Sequence, residues 1–124
     1  MSPRAFTGFG AGRTAEDAFA GAKVPPGVGA VFEVAVPEGE NPSKVATFIQ
    51  RFALDPSSIS DVPPELRSTV EAAGAQLAGS PGVALGISMA GTPPGEKMLA
   101  RLAPGDPQAE PWLIFGLDRS EDQP

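Results

Sequence analysis

Residues 82–90 read Gly-Val-Ala-Leu-Gly-Ile-Ser-Met-Ala, and large and small side chains alternate along this stretch. Successive side chains of a strand point to opposite faces of the sheet. The pattern therefore predicts a β-strand with a bulky face, covered by a thick layer of core, and a small face. Another element of the chain is expected to approach that small face closely.

Residues 41–54 carry the clearest helix signal of the chain. Asn41 suits an N-cap and Pro42 suits the first helical position, which predicts a helix over residues 42–54. Four apolar side chains recur there at the spacing of one helix face, and we expect this face to pack on the sheet. They are Val45, Phe48, Ile49 and Phe52.

Further helices and strands are predicted from shorter signals. A helix is expected to open at Thr14, which has acidic Asp17 three residues later, and another is expected over residues 64–78. Residues 96–103 suit either a helix capped by Thr92 or a strand, and their composition favours the helix. The other predicted strands cover residues 29–36 and 112–117, and residues 4–11 form a short strand or a loop.

Strands that are interleaved with helices favour an α+β (or α/β) fold. We predict a two-layer sandwich with three to five strands and with helices packed on one face of the sheet. At 124 residues the chain has the length of one domain. Residues 1–117 are expected to form a single compact α+β domain, and residues 118–124 are expected to form an acidic polar tail.

The composition excludes several classes of function. The chain contains no cysteine and no histidine, which removes disulfides, Cys/His zinc sites, cysteine nucleophiles and Ser-His-Asp triads. Lys and Arg number 9 against 15 Asp and Glu, a net charge of −6. Nucleic acid requires clustered basic residues, so no nucleic-acid partner is expected. Because no apolar run approaches the roughly 18 residues of a membrane span, we expect a cytoplasmic protein without membrane contact.

A glycine-rich stretch precedes the helix that is expected to open at Thr14, and residues 8–14 read Gly-Phe-Gly-Ala-Gly-Arg-Thr. A glycine-rich loop that enters a helix can bind phosphate through backbone N–H groups and the helix dipole. The match to the Walker A pattern is poor, because Thr7 stands at its first glycine and an arginine replaces its lysine. The alternative is a flexible turn before a capped helix. The residues of this weak anion site are Gly10, Gly12, Arg13 and Thr14.

The last predicted strand carries four large apolar side chains in succession, from Trp112 to Phe115. Neighbouring side chains of a strand point to opposite faces, so these four cannot share one face. Either the chain's own helices cover both faces, or one face and an unpaired edge are left for a partner. The candidate interface residues are Trp112, Ile114 and Phe115.

No residue pattern supports a catalytic assignment, and we assign no cofactor and no metal. Residues 86–90, Gly-Ile-Ser-Met-Ala, resemble a nucleophile elbow, but the serine lies within the alternating strand and no histidine can accept its proton. We therefore expect a non-catalytic protein–protein binding or assembly domain, structural or adaptor in kind, that binds another protein or itself as a homo-oligomer. The alternative is a small-ligand or phosphate/anion-binding domain that uses residues 8–14, and an enzyme ranks third.

Overall fold

The alternating stretch forms a strand, as its pattern predicts, and it lies in a sheet with three further strands. The computed structural model describes residues 4–22, 24, 27–37, 39–80 and 82–118. The strands in chain order are β1 (Arg4–Gly12), β2 (Ala30–Glu33), β3 (Val83–Ser88) and β4 (Glu110–Asp118).

The four strands form one mixed sheet in the order β1-β4-β3-β2. β4 runs antiparallel to both of its neighbours, and β2 runs parallel to β3. The last strand of the sequence therefore lies in the middle of the sheet, and β1 and β2 are its edges. The register aligns Phe9 with Leu113 and Leu113 with Ile87, so these three side chains lie on one face.

The helices after Thr14 and Asn41 begin where these capping residues predict them, whereas the helix expected over residues 64–78 begins at Arg67, after a 3₁₀ turn and without a side-chain cap. Thr14 Oγ1 accepts a hydrogen bond from the Asp17 N–H at 3.2 Å, and Asn41 Oδ1 accepts one from the Ser43 N–H at 2.9 Å. These bonds satisfy N–H groups that the first helical turn leaves without partners. The helices are α1 (Ala15–Gly21), α2 (Pro42–Leu54), α3 (Arg67–Gly79) and α4 (Pro93–Leu102), with 3₁₀ turns over Pro56–Asp61 and Pro64–Leu66.

The bulky face of β3 meets the larger core. Leu85 and Ile87 are fully buried there, together with Phe115 of β4, beneath α2 and α3. In α2, Val45 and Ile49 are buried, whereas Phe48 and Phe52 are only partly buried at the margin of this core. The predicted apolar face of residues 42–54 thus packs on the sheet, but its two phenylalanines lie at the margin of the core and are only partly covered.

The small face of β3 meets α1, as its small side chains predict. Ala84 is buried in a second core with Ala15 and Ala18 of α1. A β-carbon on Gly86 would lie only 2.9 Å from the β-carbon of Ala15, so only glycine leaves α1 room at this distance. The alternation of large and small residues therefore corresponds to a thick core layer on one face of the strand and a closely packed helix on the other.

The α+β class and the number of strands are confirmed, while the distribution of the helices differs from the expectation. The sequence predicts helices on one face, but α1 packs on the face opposite to α2 and α3. The sheet is therefore covered on both faces, in three layers. The physical reason is that Ala84 and Gly86 leave space for a short helix that presents Ala15 and Ala18.

Residues 96–103 adopt the helical alternative. α4 begins at Pro93, and Thr92 Oγ1 accepts a hydrogen bond from the Gly95 N–H at 3.0 Å, as its assignment as the cap predicts. At the other end of the chain, Asp118 still pairs with Arg4 within the sheet. The expected polar tail thus begins inside β4, and residues 119–124 lie outside the described residues.

The second strand is shorter than residues 29–36. Its pairing with β3 ends where the Val34 N–H donates to the Gly86 carbonyl at 2.8 Å, after which the chain leaves the sheet towards Pro37. β2 therefore forms a short edge of four residues, whereas β1 forms a long edge of nine.

Candidate functional site

The outer edge of β1 is open. One side of β1 pairs with β4 along all nine residues, and the other side faces no strand of the described part of the chain. Edge strands of natural proteins are usually protected by proline, charge, a bulge or a covering element. Residues 5–12 of β1 contain neither proline nor a charged residue, and their register with β4 is continuous. Within the described residues, no strand and no further backbone hydrogen bond occupies this edge, so we take it as the candidate site for pairing with a further strand.

Phe9 stands on this open strand with half of its surface exposed. It shares the face of Leu113, beneath the layer of α2 and α3, but its own exposed fraction is 50%. Leu102, in the last turn of α4, is exposed to 51%. Large apolar side chains with this exposure on one continuous surface are typical of binding sites.

Phe9 and Leu102 line the same cleft, which we call the α4 cleft. It lies between α4 and the first turn of α2 and has a volume of about 540 Å³. This volume is within the range of pockets that hold small molecules. Its lining residues are Phe9, Ser43, Met89, Pro94, Lys97, Met98, Arg101 and Leu102.

The sequence of α4 explains the character of the cleft. Met98 and Leu102 are four residues apart, as are Lys97 and Arg101, so the helix presents an apolar row and a basic row side by side. Within α4, whose ten residues are all described, Gly95 alone is buried. The helix is therefore fixed to the domain at its first turn and leaves most of its apolar row only partly covered.

Two side chains of α2 hold α2 in position beside the cleft and against β1. Ser43 Oγ donates to Met89 Sδ at 3.8 Å, inside the cleft. Gln50, which is only 8% exposed, donates through Nε2 to the Phe6 carbonyl at 2.7 Å and to the Gly116 carbonyl at 3.3 Å. This buried amide ties α2 to both β1 and β4, so the open strand is held firmly on its inner side.

The rim of the cleft is basic. Lys97 and Arg101 are both exposed, and neither forms an ion pair with another described residue. The ion pair between Arg51 and Asp61, at 3.8 Å, lies elsewhere on α2 and its following 3₁₀ turn. In a chain with a net charge of −6, the α4 cleft therefore combines an apolar floor with a local pair of cations.

The residues of the predicted anion site lie where β1 ends and α1 begins. Gly10 and Gly12 belong to β1, on the side that faces α1, and a β-carbon on Gly10 would overlap the carbonyl oxygen of Ala18. Arg13 is exposed, and Thr14 caps α1. Both glycines thus admit the close approach of α1, and anion binding at this site stays a prediction.

The predicted interface residues Trp112, Ile114 and Phe115 are buried, with Trp112 only 3% exposed. The Trp112 Nε1–H donates to the Gly12 carbonyl at 3.0 Å. Because β4 is paired on both edges and covered on both faces, it offers no unpaired edge to a partner. Of the two alternatives for this strand, coverage by the chain's own elements is the one observed.

The residues of the α4 cleft were not singled out from the sequence. A signal was present in β1, because Phe6 and Phe9 are three residues apart and so must lie on opposite faces of a strand. Phe6 packs against the core beneath α1, which leaves Phe9 on the other face at the edge of the sheet. The exposure of Phe9 depends on the order of the strands in the sheet, which the local sequence pattern does not predict.

Among the described residues, no three His, Cys, Asp or Glu side chains come together as a metal ion would require. Within the same ranges, no helix has both the length and the apolar content needed to cross a membrane. No protein-family model matches the chain, and no curated protein or solved structure matches it.

Proposed function

We propose that this domain is a non-catalytic protein-binding domain that accepts an extended segment of another protein as a fifth strand beside β1. The observation that carries the proposal is the open nine-residue edge of β1, with half-exposed Phe9 in its middle. Strand addition obtains affinity from main-chain hydrogen bonds and specificity from pockets for alternate side chains. The cytoplasmic location expected from the composition belongs to the same proposal.

The rigidity of β1 supports this function. A template strand binds more tightly when it needs no ordering, because less conformational entropy is lost on association. β1 is fixed by its pairing with β4, by the Gln50 hydrogen bond to Phe6 and by the packing of α1 against Gly10. An incoming segment therefore meets a strand whose extended conformation is already held by these contacts.

The α4 cleft supports specificity. An incoming strand places every second side chain on the face of Phe9, and the cross-strand neighbour of Phe9 lies about 4.5–5.5 Å away between β-carbons. Because Phe9 lines the α4 cleft, that side chain lies next to one wall of the cleft. Pairing with the edge of β1 sets the register of the incoming strand, and the cleft determines which side chain is favoured opposite Phe9.

A display library of random nine-residue peptides tests the proposal. We expect enrichment of sequences that bind as strands, and each enriched peptide is then synthesised with N-methyl groups on alternate amides, in both possible registers. Only one register removes the N–H groups that face β1, so one version loses binding and the other keeps it. The proposal is overturned if no peptide is enriched or if both versions bind as tightly as the parent.

Anion binding by residues 8–14 is the second candidate, carried over from the sequence. The exposed guanidinium of Arg13, beside the cap of α1, supports it. The thermal midpoint is measured in sulfate and in chloride at equal ionic strength. A sulfate-specific rise that disappears in Arg13→Ala supports this candidate, and an equal midpoint in both salts removes it.

A further inference from the structure

The residues around Phe9 indicate which side chains a partner segment would carry, an inference that rests on the strand addition proposed above. The side chain that lies opposite Phe9 is next to the phenyl ring, which lines the cleft together with Met98 and Leu102. A polar side chain in that position would lose water without gaining hydrogen bonds, which costs free energy. An apolar side chain is therefore favoured there.

The next side chain on the same face lies two residues further along the incoming strand, about 7 Å away. Lys97 and Arg101 line the same cleft, one helical turn apart, and both are exposed. A carboxylate in that position can accept hydrogen bonds from either cation, and the guanidinium of Arg101 can bind it through two parallel bonds. The cleft therefore suits an apolar and an acidic side chain on one face of a strand.

The two described edge strands of a second copy do not supply this pattern. Its β1 carries no acidic residue. In its other edge strand, β2, Glu33 shares a face with Val31, which is already buried under α1. Neither open edge of a second copy thus offers a free apolar side chain and a carboxylate on the same face.

We infer that the α4 cleft selects a segment of a different protein in which an apolar residue and an acidic residue, two positions apart, face Phe9. The apolar residue packs against Phe9 and Leu102, and the acidic residue binds Lys97 and Arg101. The pair of cations stands on a chain of opposite net charge, so it attracts acidic segments only at short range.

Two synthetic nine-residue peptides test this inference. In the first, leucine and glutamate alternate on one face of the strand and threonine occupies the other face, and in the second, lysine replaces glutamate. Each carries a fluorophore, and binding is followed by anisotropy. We expect the glutamate peptide to bind at least about fivefold more tightly at low salt, since two exposed ion pairs replace two repulsive ones. We expect this preference to shrink in 1 M NaCl, where the screening length is about 3 Å.

A charge-reversal variant of the domain, tested with the same two peptides, is the second experiment. The variant Lys97→Glu/Arg101→Glu changes two exposed side chains, and we expect it to prefer the lysine peptide. The matched control is Arg51→Glu, an exposed arginine on α2 outside the cleft, which keeps the preference of the parent.

The outcomes separate this inference from the proposed function. Equal binding of both peptides, with loss of both in Phe9→Ser, overturns the acidic preference and leaves strand addition standing. Absence of binding by both peptides overturns the inference if library peptides still bind, and it overturns strand addition itself if the library also yields no binder. Dimerisation of the domain that Phe9→Ser abolishes, without peptide binding, identifies a second copy as the occupant and overturns the inference.

Discussion

Phe9 and Phe32 lie on the same face of the sheet at its two opposite edges, and they expose 50% and 48% of their surface. Phe9 belongs to the long edge strand and lines the α4 cleft, whereas Phe32 belongs to the short edge strand and lies outside that cleft. The two side chains therefore form a matched pair for separating binding from stability.

We predict that Phe9→Ser weakens the binding of strand-forming peptides by at least about tenfold, because it removes the largest apolar contact beside the open edge. Phe32→Ser is the control, and we expect its affinity to equal that of the parent. Both substitutions lower the free energy of unfolding by about 1 kcal/mol, since each removes a half-buried ring. Isothermal titration and chemical denaturation measure the two quantities, and equal affinities of the two variants would refute the role of Phe9.

Gly10 is predicted to be intolerant of a side chain. Gly10→Ala places a methyl group against the backbone carbonyl of Ala18, which cannot rotate away, so α1 must shift on the sheet. We expect a loss of about 1–3 kcal/mol in the free energy of unfolding. Gly21→Ala, at the end of α1 with open space around it, is the control and is expected to leave stability unchanged or to raise it by up to about 1 kcal/mol. An unchanged stability of Gly10→Ala would contradict the close approach of α1.

Gln50 is predicted to hold β1 against the domain. Gln50→Ala leaves the carbonyls of Phe6 and Gly116 without their side-chain donor, at a cost of about 1–3 kcal/mol. Gln76→Ala, on the partly exposed side of α3, is the control and is expected to change stability by less than about 0.5 kcal/mol. Urea denaturation compares the two variants, and equal values would show that the buried amide contributes no net stability.

The apolar face of α2 is predicted to be energetically uneven. Ile49 is fully buried, so Ile49→Ala costs about 2–5 kcal/mol. Phe48 is only partly buried at the margin of the core, so Phe48→Ala costs less, about 1–2 kcal/mol, even though it also removes the contact with the Lys44 ammonium, 5.8 Å from the ring centroid. Thermal and chemical denaturation give both values. The reverse order would mean that α2 is rotated from the orientation described.

Local signals predicted those elements whose ends are determined by neighbouring residues. The helix over residues 42–54 has the expected bounds, and it begins as predicted because Asn41 and Pro42 act within its first turn. The helical alternative for residues 96–103 is correct for the same reason, since Thr92 caps the first turn. Alternation in β3 likewise predicted a close element on its small face, which is α1.

Features that depend on the order of strands were not accessible in this way. The central position of β4 comes from pairing between residues at opposite ends of the chain, such as Arg4 with Asp118. The same pairing makes β1 an edge and exposes Phe9. The glycines of β1 suggest a loop when read locally, yet Gly10 serves the contact with Ala18, and only the packing of α1 reveals it.

Amide hydrogen exchange along β1, measured with and without a bound peptide from the display library, tests the central claim most directly. An added strand protects only the N–H groups that point outwards, which alternate along an antiparallel or a parallel edge. We predict that every second amide between Ala5 and Ala11 slows by at least about tenfold, while the others, already bonded to β4, stay unchanged. Binding without this alternating protection, or protection confined to another surface of the domain, would contradict the claim that β1 accepts a fifth strand.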